Sequence, residues 1–145
     1  MASGPSVSAN LEEAARLIEE AAAQKAKLVV LPEYFCIMGM KDTDKLAVRE
    51  QPGNGPIQKF LSDTAKRLGI WLVGGSVPLA SSESDKVYNS CLVYADTGEQ
   101  VARYDKIHLF GLRLGHEHYA EERTIKAGNS VVTVDSPFGR IGLSI

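Results

Sequence analysis

The fold is indicated by one short run, Leu28-Val29-Val30-Leu31-Pro32-Glu33. We predict a strand from Lys27 to Leu31, because an unbroken β-branched and apolar run is typical of a strand that is covered on both faces. Pro32 ends this strand, since proline has no N–H to donate to a sheet. Glu33 then follows the carboxyl end of the strand, which is the edge where open α/β sheets bind their ligands.

A helix is predicted on each side of this strand. The first runs from about Asn10 to Ala26 and begins with a capping-box-like pair, Asn10 and Glu13. The second runs from Pro56 to Leu68. Proline suits the first position of a helix, an apolar stripe follows it, and Gly69 suits the position after the last turn. The apolar residues from Ile70 to Val77 predict another strand. This helix–strand–helix–strand order is typical of an α/β sheet built from crossover units.

The second half of the chain has the pattern of hairpins. Two strand-like runs, from Val87 to Tyr94 and from Gln100 to Lys106, are separated by turn-forming residues. The segment from about Phe110 to Asn129 is irregular. A second hairpin is predicted from Ser130 to Asp135 and Arg140 to Ile145, on either side of a Pro- and Gly-containing turn.

The composition is that of a globular protein. The chain has 145 residues, of which 44% are hydrophobic and 23% are charged. A formal net charge of −2 gives no reason to expect nucleic acid or a membrane as a partner. Two cysteines are too few for a disulfide framework, and the N-terminal residues lack the features of a secretory signal. We therefore expect a soluble, cytoplasmic protein.

Three charged residues are candidates for chemistry. Glu33 is flanked by proline and aromatic residues, so a partly desolvated carboxyl would suit a general base; its alternative is a charged loop residue at a strand end. Lys106 lies among aromatic and aliphatic neighbours and could stabilise an oxyanion, or be a surface lysine with a covered stem. Glu121 lies in the irregular segment, where its alternative is a solvated acidic residue.

The cysteines and histidines are weaker candidates. Cys36 is close to Glu33, but nothing in the sequence aims a base at it, so we predict a buried, inert thiol. Cys91 is predicted to lie in a strand with its side chain in the core. The run His116-Glu117-His118, with His108 nearby, matches none of the common zinc patterns, so no metal site is predicted.

Three motifs occur together in the order and approximate spacing of one enzyme family. They are Leu28-Val29-Val30-Leu31-Pro32-Glu33, Tyr104-Asp105-Lys106-Ile107-His108-Leu109-Phe110 and Gly139-Arg140-Ile141-Gly142-Leu143-Ser144-Ile145. In these motifs the chain resembles the nitrilase superfamily of carbon–nitrogen hydrolases. The stretch from Ile37 to Lys45 and the loop around Tyr119 and Glu121 look most like the omega-amidase and deaminated-glutathione-amidase branch.

The resemblance implies a fold and a site. The fold would be α/β, a partial αββα sandwich of the nitrilase type without its first strand and its C-terminal half, so that residues 1–145 form a single incomplete domain. Of the Glu–Lys–Cys triad of that family, Glu33 matches the general base and Lys106 the oxyanion-stabilising lysine. Glu121 matches a second glutamate that helps to position the triad and the substrate. The nucleophilic cysteine would directly follow Ile145, so the isolated chain is predicted to be inactive.

The resemblance also implies a substrate and partners. The full-length parent would hydrolyse a terminal amide of a small carboxylic acid without a metal or an organic cofactor, and it would form a homo-oligomer. The loop from Gly111 to Gly115 lacks the acidic residue that the family commonly has there, which leaves the substrate open. Two alternatives remain: a non-catalytic pseudoenzyme or binding module, and an enzyme in which Cys36 replaces the missing nucleophile.

Overall fold

A computed structural model describes residues 1–115 and 117–145 of the chain. The helices and strands are, in chain order, α1 (Val7–Ala23), β1 (Leu28–Val30), α2 (Asp44–Ala47), α3 (Pro56–Leu68), β2 (Trp71–Val73), β3 (Val77–Ala80), β4 (Val87–Tyr94), β5 (Gln100–Asp105), β6 (Gly111–Leu114), β7 (Glu117–Ala120), a short 3₁₀ helix (Glu121–Arg123), β8 (Val132–Ser136) and β9 (Gly139–Leu143). Within the described ranges, no helix is long and apolar enough to cross a membrane.

Strand β4 is the centre of the main sheet. Strands β2 and β3 pair with successive parts of one edge of β4, and β5 pairs with the other edge, all antiparallel. Strand β1 adds to β2 as a parallel strand, so the predicted crossover unit is confirmed for this pair only. Because β2 and β5 are both antiparallel to β4, the strands β1, β2 and β5 run in the same direction. Their carboxyl ends therefore lie at the same edge of the sheet.

Both faces of the main sheet are covered. On one face, Leu72 and Leu92 pack in a buried cluster with Ile18 of α1 and Leu61 of α3. On the other face, alternate strand residues share a second buried cluster with Leu143 of the β8–β9 hairpin; they are Trp71, Val73, Cys91 and Val93. The layers are thus helices, a sheet and a hairpin, and the predicted α/β class is confirmed.

Local predictions hold where local residues decide the structure. Helix α3 has the predicted bounds, and Gly69 ends it in the left-handed conformation with a φ of 60°. The two predicted hairpins form as β4–β5 and β8–β9. The segment from Phe110 to Asn129, in contrast, was expected to be irregular but contains the β6–β7 hairpin. Strand β1 is also less covered than expected, since Val30 is 64% exposed.

The predicted capping role of Asn10 is wrong. Helix α1 begins at Val7, and the hydroxyl of Ser6 accepts a hydrogen bond from the N–H of Ala9. Asn10 lies inside the helix and is buried. Its amide nitrogen donates to the carbonyls of Gly4 at 2.7 Å and Cys36 at 2.9 Å, and its oxygen accepts from the N–H of Gly4. Asn10 therefore ties the N-terminal segment to the loop that follows Glu33.

The single strand predicted from Ile70 to Val77 is divided in two. Gly74 and Gly75 separate β2 from β3, and Gly75 adopts a φ of 52°. A Cβ atom at this position would lie 2.1 Å from the carbonyl oxygen of Pro32. The turn after β2 thus packs directly against the residue that precedes Glu33, and only glycine allows this approach.

We expect Gly75→Ala to lower the free energy of unfolding by about 2–4 kcal/mol, because the new methyl group adds a collision with Pro32 to the strain of a positive φ. Gly69→Ala is the matched control, since its φ is 60° but no atom lies within 4 Å of its added Cβ. That control is expected to lose about 1 kcal/mol. Urea denaturation measures both, and equal losses would contradict a constraint from Pro32.

Candidate active site

The sheet brings Glu33 and Lys106 to one place. Glu33 follows β1 and Lys106 follows β5, and these strands end at the same edge of the sheet. The Nζ atom of Lys106 donates to Oε1 of Glu33 at 3.1 Å. The backbone of Lys106 is also held, because its N–H donates to the carbonyl of Asn89 and its carbonyl accepts from the N–H of Gly128.

Glu121 completes an ionic cluster around the same ammonium group. Its Oε1 and Oε2 atoms lie 3.2 and 3.1 Å from Nζ of Lys106. The N–H of Phe110 donates to Oε2 of Glu121 at 2.7 Å, which also holds this carboxylate in place. Glu121 is 4% exposed and Lys106 is 7% exposed. The alternatives of a solvated loop glutamate and a surface lysine are therefore both wrong.

The electrostatics keep Lys106 charged. Burial by itself would lower the pKa of Lys106, but its hydrogen bonds to Glu121 and Glu33 outweigh this effect, and the pKa is raised. Two carboxylates around one ammonium leave the cluster with a net charge of −1 when all three groups are ionised. A buried cation with two such partners has its charge compensated.

Glu33 keeps one carboxylate oxygen available. Its Oε1 accepts from Lys106 and from Nδ2 of Asn89, the latter at 2.8 Å. Among the side chains that the structure describes, outside residues 116–118, none donates to Oε2. The side chain is 40% exposed, so the carboxylate is only partly shielded from water. Glu33 lines a cavity of about 130 Å³ together with Cys91, Ser144 and Ile145, among others.

Tyr34 connects the cluster to its surroundings. Its φ of 54° is rare for a residue with a side chain, and its N–H donates to Oγ of Ser76 at 2.8 Å in this conformation. The hydroxyl donates to Oε1 of Glu121 at 3.3 Å. Burial, with the nearby charges of Glu121 and Glu33, raises the pKa of Tyr34, so the hydroxyl stays protonated and remains a donor.

Two residues of this cluster were missed from the sequence. The sequence predicts that Asn89 lies in a strand and indicates no role for it, although asparagine is unfavourable in strands. In the structure Asn89 is 2% exposed. An asparagine inside the apolar run from Val87 to Tyr94 was the signal that could have found it. Tyr34 was considered only as an apolar neighbour of Glu33, and no local signal indicates that its hydroxyl reaches Glu121.

The two cysteines are buried, as predicted. Cys36 is fully buried, and this burial raises the pKa of its thiol to about 12. Cys91 lies in β4, and burial raises the pKa of its thiol to about 11. Since the thiolate is the nucleophilic form, neither group is activated at neutral pH. The run His116-Glu117-His118 includes residue 116, which lies outside the described residues.

Comparisons with known proteins give the family of the chain. The family model for carbon–nitrogen hydrolases matches residues 1–145. A chloroplastic omega-amidase of Arabidopsis thaliana is 38% identical over 140 residues, which cover 94% of this chain and 37% of the relative. A deaminated glutathione amidase of Synechocystis is 36% identical over 149 residues, which cover 100% of this chain and 54% of the relative.

A solved structure gives the same result for the fold. Nit3 of Saccharomyces cerevisiae, described as a member of branch 10 of the nitrilase superfamily, superimposes with a TM-score of 0.81 at 31% identity. The match covers 98% of this chain and 51% of Nit3. The chain thus spans about half, or less, of the length of the relatives that it matches. With a family match along its whole length and this fold, the chain belongs to the carbon–nitrogen hydrolases of the nitrilase superfamily.

Proposed function

We propose that this chain is part of an amidase that hydrolyses a terminal amide of a small carboxylic acid through a cysteine thiol. The observation that carries the proposal is the buried Lys106 ammonium between Glu33 and Glu121. Beside it, Oε2 of Glu33 accepts no hydrogen bond from a described side chain. The names of the relatives, an omega-amidase and a deaminated glutathione amidase, support an amide substrate.

The first half of the proposed reaction makes a thioester. The nucleophile is a cysteine that follows Ile145 in a longer chain, and Ser144 and Ile145 already line the cavity beside Glu33. Glu33 takes the thiol proton, and the thiolate attacks the amide carbon. Lys106 and a backbone N–H stabilise the negative charge on the carbonyl oxygen. The C–N bond then breaks, and the proton held by Glu33 leaves with the nitrogen as ammonia.

The second half releases the acid. Water gives a proton to Glu33 and attacks the thioester carbon, and the tetrahedral species expels the thiolate. The proton on Glu33 then returns to the sulfur, so the enzyme is restored. Glu121 does not exchange protons in this scheme. It holds the ammonium of Lys106 where the oxyanion forms, together with the bond from the N–H of Phe110.

The scheme uses no metal and no organic cofactor. Its only required partner is the small amide, and we propose a homo-oligomer for the longer protein, in line with the family resemblance. We also propose a cytoplasmic location on the basis of composition, although one relative is named as chloroplastic.

We expect the purified 145-residue chain to release no ammonia from glutaramate, the monoamide of a five-carbon diacid, because its two thiols are buried and protonated. A coupled ammonia assay over hours measures this. Ammonia release that disappears in the Glu33→Gln variant would contradict the prediction, since it would show that the chain already contains a working nucleophile.

In a longer chain with a cysteine directly after Ile145, we expect Glu33→Gln to lower kcat for glutaramate at least about 100-fold, because both proton transfers are lost. Lys59→Met is the control, since Lys59 is 75% exposed on α3 and pairs with Asp63 on the same helix. Steady-state kinetics of both variants test this. An unchanged kcat in Glu33→Gln would show that Glu33 has no part in the mechanism. Separately, an in-frame stop codon after the codon for Ile145 in the gene would favour the non-catalytic alternative.

A further inference from the structure

A second, smaller cavity lies beside the ionic cluster, next to α2. Its volume is about 80 Å³, and its lining includes Tyr34, Lys41, Asp42, Lys45 and Tyr119. Tyr34 is shared with the cluster, because its hydroxyl donates to Glu121 while its ring borders this cavity. We refer to this cavity as the Lys45 cavity.

The lysine in this cavity is buried without a carboxylate partner. Lys45 is 9% exposed. Its Nζ donates to Oγ1 of Thr124 at 3.4 Å and lies 5.5 Å from the centre of the Tyr34 ring. Among the side chains that the structure describes, which leave out those of residues 116–118, no carboxylate oxygen lies within 4 Å of Nζ. A buried ammonium normally has an anionic partner, as Lys106 has, so Lys45 has an unfilled requirement.

The lowered pKa of Lys45 also indicates that its charge is incompletely compensated. Burial lowers its pKa, and the charges of Asp42, Glu121 and Glu33 do not fully offset this. An anion that enters the Lys45 cavity would supply the missing compensation. The charged residues among the described part of the lining, Lys41, Lys45 and Asp42, sum to +1, which also favours an anion.

The Lys45 cavity and the ionic cluster are held together by the same residues. Tyr34 contacts Glu121 with its hydroxyl and Lys45 with its ring. Thr124 accepts from Lys45 with its side chain, while its N–H donates to the carbonyl of Glu121 at 3.0 Å. The two sites are therefore fixed relative to each other. A ligand with an amide at one end and a negative charge at the other suits this pair of sites.

We propose that Lys45 binds the carboxylate of the substrate and makes the enzyme select amides of short acids over neutral amides. This inference rests on the proposed amidase function and assigns its specificity to one residue. The carboxylate is the anion that fits, since the parent reaction takes a small acid amide and the cavity admits only a small group.

Binding to the purified 145-residue chain tests the proposal without turnover. The probes are glutaramate and pentanamide, which share a five-carbon chain and a primary amide but differ in the carboxylate. We expect glutaramate to bind about tenfold more tightly, as a charge-assisted hydrogen bond provides. Titration followed by two-dimensional amide NMR measures both dissociation constants and also reports whether each variant is folded.

Three variants separate a binding role from a structural one. Lys45→Met is expected to bind both probes with equal affinity, and its affinity for pentanamide is expected to change less than about twofold. Lys45→Arg keeps the charge and is expected to retain a preference for glutaramate. Lys59→Met, on the exposed face of α3, is expected to bind like the parent chain.

The outcomes distinguish this inference from the proposed function. Equal affinity of the parent chain for the two probes, or a preference that survives Lys45→Met, would overturn the role of Lys45 and leave the amidase proposal standing. If neither probe shifts resonances near Glu33 and Tyr34, both the carboxylate site and the amide site beside Glu33 are wrong.

Discussion

An ammonium group that is taken out of water needs anionic partners, and the buried ammonium of Lys106 has two of them. Its two carboxylates come from distant parts of the chain, Glu33 after β1 and Glu121 at the start of the 3₁₀ helix. The contacts of these partners follow from the same need. Phe110 fixes Glu121, and Asn89 fixes Glu33. The edge of the sheet is thus organised around one positive charge.

The rest of the fold brings these charged groups together. Glu33 and Lys106 meet because β1 and β5 run in the same direction on either side of the antiparallel β2–β4 pair. The close approach of Gly75 to Pro32 sets where the chain leaves β1. Tyr34 then turns through a positive φ, a conformation that costs about 1–3 kcal/mol and is held here by the bond to Ser76. Local strain and close packing are therefore concentrated next to Glu33.

Much of the fold was predictable, because local patterns encode it. Helix α3 has its proline and glycine at the correct ends, and the two hairpins are marked by turn residues. Strand β6 has no such signal, since Leu112 and Leu114 share one face but all four residues of the strand are exposed. The break between β2 and β3 depends on a contact with Pro32, and the place of Asn10 depends on Cys36; neither contact is local.

The site shows the same division. Glu33, Lys106 and Glu121 could be named from motifs that resemble a family, and the structure brings the three together. Asn89, the hydroxyl of Tyr34 and Lys45 were given no role, because their chemistry arises only when separate segments pack. Asn89 is unusual as an asparagine in a strand, but neither it nor Tyr34 or Lys45 carries a local indication of the partner that it will meet.

The separation of these segments along the chain has a consequence for folding kinetics. The hydrogen bonds from Asn89 and Lys106 to Glu33 span 56 and 73 residues, and the bond from Tyr34 to Glu121 spans 87. Contacts of such high contact order require the closure of long loops, which slows their formation relative to local helices and hairpins. During synthesis, Glu33 leaves the ribosome long before Lys106 and Glu121. Glu33 is therefore without its cationic partner while the 73 residues up to Lys106 are synthesised, and we expect the ionic cluster to form after the local helices and hairpins.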